Sequence, residues 1–80
     1  MKLAEIKKLV ETYDLTALAA AEQHLMEGEP LGIEVGGADE GEQLTHIMAA
    51  MEVLKDVQEN GSDPKEALRN YTKRVRESIS

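Results

Sequence analysis

The stretch from Glu40 to Glu59 constrains this chain more than any other. At 100° per residue Leu44, Ile47, Met48, Met51 and Leu54 form one apolar helical face, and Ala49, Ala50, Val53 and Val57 form a second beside it. Apolar positions then cover roughly two thirds of the circumference, so the helix has to be enclosed on several sides. In a chain of 80 residues the enclosing material is either three further helices or the surface of a second copy. The side formed by Ala49, Ala50, Val53 and Val57 is the candidate subunit interface.

The rest of the sequence supplies three shorter helical patterns. Leu3, Ile6, Leu9, Val10 and Tyr13 recur at helical spacing and predict a helix over about 2–13. Asp14 or Thr16 can cap a second, about 15–27, whose stripe is Leu15, Leu18, Ala21, Leu25 and Met26 and which stops at Gly28. Asp39 followed by Glu42 is a capping-box signature for the third helix, about 40–59, ended by Asn60-Gly61. Ser62-Asp63-Pro64 then opens a fourth, about 64–79, with the narrow stripe Leu68, Tyr71, Val75 and Ile79. The expectation is an all-α, small four-helix bundle-like fold, a single domain over residues 1–80.

One segment departs from the helical period. Leu31, Ile33 and Val35 alternate with Gly32 and Glu34, the pattern of a half-buried strand between helices two and three. A lone strand cannot satisfy its backbone in a sheet. It either lies as an extended segment on the helices or pairs with its copy in a second chain, so Leu31, Ile33 and Val35 are further candidate interface residues.

Small size makes reinforcement necessary. A chain this short buries only roughly 60% of its unfolded surface, and such folds commonly add a disulfide, a metal or a partner subunit. With no cysteine, disulfides, zinc-thiolate sites, iron-sulfur clusters and thiol nucleophiles are excluded, which leaves a homodimer as the expected reinforcement. The N-terminus is interrupted by charges before a signal-peptide core can form, and the longest apolar run, Ala17 to Ala21, is far short of the roughly 20 residues of a membrane span. The expected setting is the cytoplasm, with no membrane partner.

The net charge of −7 is unevenly distributed. Residues 14–63 carry twelve acids against Lys55, whereas residues 64–80 carry five bases against Glu66 and Glu77. On the fourth helix Lys65, Arg69, Lys73 and Arg76 fall within about 80° of one another and make a basic ridge. Cations near a helix C-terminus complement its dipole, and the acidic middle of the same or a neighbouring chain can answer the rest. The alternative is a surface for an anionic partner. With two tyrosines and no Phe or Trp, stacking on nucleic-acid bases has little support, and nucleic acid is disfavoured as a partner.

Chemistry-bearing residues are few. His24 with Glu27 and Glu42 with His46 stand at helical spacing and could together hold a metal, but the spacing is not the Glu-x-x-His of di-iron bundles. Glu22 falls inside the stripe of helix two, where it acts as a general acid or base with His24 or His46, or else pairs with a partner such as Tyr13 or Tyr71. The glycine-rich run Gly32 to Gly41 lacks the Lys-Ser/Thr of a phosphate loop, carries repelling acids, and reads as a mobile connection. No catalytic, cofactor or metal residues are assigned.

The segments Lys65-Glu66-Ala67-Leu68, Lys73-Arg74-Val75 and Ser78-Ile79, with Met1-Lys2-Leu3 and Ile6-Lys7 at the start, resemble a family of small uncharacterised bacterial proteins. The likeness is best over helices three and four and slight between Thr12 and Gln43. It implies no activity. Members are similar in being encoded near thioredoxin-like and peroxiredoxin-like proteins, and a chain without cysteine would enter such chemistry only as a partner. The expectation is a non-catalytic interaction or regulatory module, with itself or another protein as partner.

Overall fold

The computed structural model describes the backbone of residues 2–79 and the side chains of 2–77. Met1 and the side chains of Ser78 and Ile79, which the sequence motifs include, lie outside the described residues. The architecture is all-α, with no strand among the described residues: α1 (Leu3–Thr12), α2 (Leu15–Met26), α3 (Glu40–Asn60) and α4 (Pro64–Ile79).

Each helix boundary has a local cause. Asp14, rather than Thr16, caps α2, its Oδ1 accepting from the Ala17 N–H at 2.8 Å. At the other end the Glu29 N–H donates to His24 O and the Gly28 N–H to Leu25 O, with Gly28 at φ 75°. These two bonds make a Schellman stop. Asp39 accepts from the Glu42 N–H at 2.8 Å, as a capping box requires, but the Glu42 carboxylate reaches one residue further back than expected, to the Ala38 N–H at 3.3 Å. Gly61 ends α3 at φ 66°. Asp63 then accepts from the Lys65 N–H at 2.9 Å and starts α4.

The enclosure demanded by α3 is met inside the chain. α1, α2 and α4 all pack against α3, α1 also touches α4, and α2 packs on α3 alone. The core comprises Ile6 and Leu9 of α1, Leu18 and Ala21 of α2, Ile47, Ala49, Ala50 and Val53 of α3, Ala67 of α4, and Val35 of the connection. The residues expected at a subunit interface lie against this core. Ala49, Ala50 and Val53 are fully enclosed and Val57 is half-buried, so the chain's own helices already cover most of this side of α3. The physical reason lies in the alanines, whose small side chains let neighbouring helices approach closely. Met48, expected on the other apolar face, instead stands 51% exposed.

The 31–35 segment is also turned toward its own helices. Val35 is buried, and Leu31 and Ile33 pack against the core. Gly32 at φ 77° interrupts the extended run that strand pairing would need. The connection read as mobile is tied at several points: the Glu34 N–H donates to the Tyr13 hydroxyl at 3.2 Å, the Gln43 amide to Val35 O at 3.4 Å, and the His46 Nδ1–H to Gly36 O at 2.7 Å. Gly37 sits at φ 153°, and a Cβ there would lie 3.0 Å from the Gln43 backbone nitrogen. Backbone crowding, not flexibility, explains this glycine.

Candidate functional site

The histidines and Glu22 do not converge. His46 is fully enclosed, its Nε2 accepting from the Lys2 N–H at 3.0 Å while Nδ1 donates to Gly36 O. A backbone N–H can only donate and a carbonyl can only accept, so the ring carries its proton on Nδ1. His46 therefore joins the start of α1 and the 31–39 connection to α3. His24 is solvated, its Nδ1 lying 3.4 Å from a Glu29 oxygen.

Glu22 lines a shallow cleft with Met48, Met51, Glu52 and Lys55, and neither histidine shares it. The tyrosines suggested as its partners are engaged elsewhere: Tyr13 with Glu34, and Tyr71 beneath the Arg74 guanidinium at 5.9 Å from the ring centre. An open cleft leaves Glu22 in contact with water, which removes the reason to expect a desolvated acid or base. The Glu27 carboxyl is held below its usual range, by hydrogen bonding with Glu29 first, then with the Gln23 amide, and to a lesser degree by the His24 charge. Among the described residues no three His, Asp or Glu side chains gather as a cation site would require.

The basic ridge is brought to one place. Lys65, Arg69, Lys73 and Arg76 line a groove of about 600 Å³ between α1 and α4, joined by Lys7 from α1 and floored by Leu3, Leu68 and Thr72. The helical spacing sets the four cations on one side of α4, and the contact of α4 with α1 brings up Lys7 and Leu3. Leu3, expected within the buried stripe of α1, is 43% exposed there. The Thr72 hydroxyl turns inward to donate to Leu68 O at 2.9 Å. Five cations thus surround an apolar floor, and among the described residues no carboxylate lines the groove.

Few of these charges are answered among the described residues. No ridge cation forms an ion pair among the described residues, and Lys7 reaches only the exposed Glu11 at 3.9 Å. Asp63 and Glu66 lie on the outer flank of Lys65 and Arg69, away from the groove. The dipole accounts for one end alone: Arg76 stands in the last turn of α4, where a cation is favoured, whereas Lys65 stands in the first, where it is not. Like charges at four-residue spacing disfavour a helix by a few tenths of a kcal/mol per pair. An anionic occupant relieves that repulsion.

Comparison with known proteins bears on the whole chain. A family of unknown function, DUF6952, matches residues 1–80. The chain belongs to this family. The match includes the region between Thr12 and Gln43, where the sequence likeness was slight. No curated protein and no solved structure matches. Among the described residues no helix is long and apolar enough to cross a membrane.

Proposed function

We propose that this DUF6952 chain is a non-catalytic protein-interaction module and that it binds its partner through the α1–α4 groove. The supporting observation is the convergence of Lys7, Lys65, Arg69, Lys73 and Arg76 around Leu3 and Leu68. A ligand matching that surface is anionic on its flanks and apolar in its centre, the description of an amphipathic acidic helix. Nucleic acid fits less well, because Tyr71 lies under Arg74 instead of in the groove, leaving no aromatic ring there for a base to stack on. The homodimer expected from α3 belongs to this reading on a different surface, since the alanine side of that helix is covered.

The test is fluorescence anisotropy with a labelled synthetic helix of leucine and glutamate. The expected result is salt-sensitive binding, weakened about tenfold or more by Lys73→Glu with Arg76→Glu, and not competed by duplex DNA. Equal binding by the variant, or displacement of the peptide by DNA, overturns the reading.

A further inference from the structure

Resting on the groove as the binding surface, we propose that its occupant is the exposed ridge of α3 from a second copy of this chain. Met48, Glu52, Asp56 and Glu59 recur along α3 in steps of four, four and three, the same steps as Lys65, Arg69, Lys73 and Arg76 along α4. Each row spans about 16 Å at 1.5 Å per residue. One row is basic and borders a leucine floor. The other is acidic and begins with an exposed methionine, a side chain that adapts readily to an apolar surface.

The α3 ridge is open within its own chain. Met48 is half-exposed, Glu52 and Glu59 are exposed, and Asp56 is partly covered, its carboxylate accepting from the Asn60 amide. The cations nearby are Lys55, 4.0 Å from Glu52, and Arg74, which lines the same rim. Arg74 leaves α4 on the side away from the groove and lies over Tyr71. The basic row of α4 and the acidic row of α3 therefore cannot meet inside one molecule, although their charge and spacing match. Two copies can join them, either reciprocally as a closed dimer or head to tail as a growing chain.

Two charge-reversed variants test this, since all the changed residues are at the surface and circular dichroism verifies the helices. One carries Lys73→Glu and Arg76→Glu; the other carries Glu52→Lys and Glu59→Lys. Light scattering over a dilution series should show the native chain associating, more weakly as salt rises. Each variant alone should be monomeric, and an equimolar mixture should recover a one-to-one complex, because one variant retains the acidic ridge and the other the basic groove. A native chain that stays monomeric at millimolar concentration overturns the proposal, as does self-association by either variant at native strength. If the synthetic acidic helix still binds such a monomer, the groove stands as the binding surface and only its occupant is wrong.

Discussion

Replacing His46 by leucine isolates the part of the fold that a purely apolar account would miss. The two side chains are similar in volume, and the ring is fully enclosed, so the change removes hydrogen bonds with little change in packing. It strands Gly36 O, which is partly buried, at a cost of about 1–3 kcal/mol for an unsatisfied buried group. The Lys2 N–H also loses its acceptor, but Lys2 is exposed, so water replaces the bond and the loss is about 1 kcal/mol or less. The sum is about 1–4 kcal/mol, a large share of the roughly 5 kcal/mol at the lower end for small domains. Urea unfolding followed at 222 nm should show a midpoint lower by about 2 M with the slope unchanged, taking about 1–2 kcal/mol per molar for a chain of this size. A loss under about 0.5 kcal/mol refutes the reasoning. So does a ring nitrogen spectrum of the native protein that places the proton on Nε2.

Four further outcomes follow from the same structure. Ile47→Ala should cost about 2–5 kcal/mol while Met48→Ala stays within about 0.5, since adjacent residues of α3 face the core and the solvent; urea midpoints measured side by side decide it. Gly37→Ala should cost about 1–3 kcal/mol, because a side chain there meets both an unfavourable φ and the Gln43 backbone, read by thermal unfolding. Asp39→Ala should remove about 1 kcal/mol by uncapping α3, seen as fraying of residues 40–43 in amide exchange. Because the folded Glu27 carboxyl sits below its ordinary value, its local stabilisation is complete above that value and is lost as pH falls through the folded one; amide shifts of Gln23 to Gly28 should titrate in that acid window with little change in global stability.

Much of the fold was legible because its signals are local. Asp14, Asp39, Asp63, Gly28 and Gly61 mark helix ends through contacts made within a few residues, and the four helices fall where these residues put them. The breadth of the apolar surface on α3 also identified the central helix. What helical periodicity could not provide was which neighbour would cover it. Ala49, Ala50 and Val53 read equally well as a subunit interface or as a core, and the choice depends on how closely three other helices approach. The bridging role of His46 was not legible for the same reason, since its two partners, Lys2 and Gly36, are 44 and 10 residues away. The basic ridge was legible as a row on one helix, but the groove was not, because Leu3 and Lys7 reach it through the packing of α1 beside α4.

The central claim is that the α1–α4 groove is the binding surface, and a two-dimensional amide spectrum recorded during titration with the synthetic leucine-glutamate helix tests it most directly. Shifts concentrated at Leu3, Lys7, Leu68, Arg69, Thr72 and Lys73, fading as salt is added, are the predicted result. Saturable binding with shifts at Glu22, Met48 and Met51, and none along α4, would contradict it.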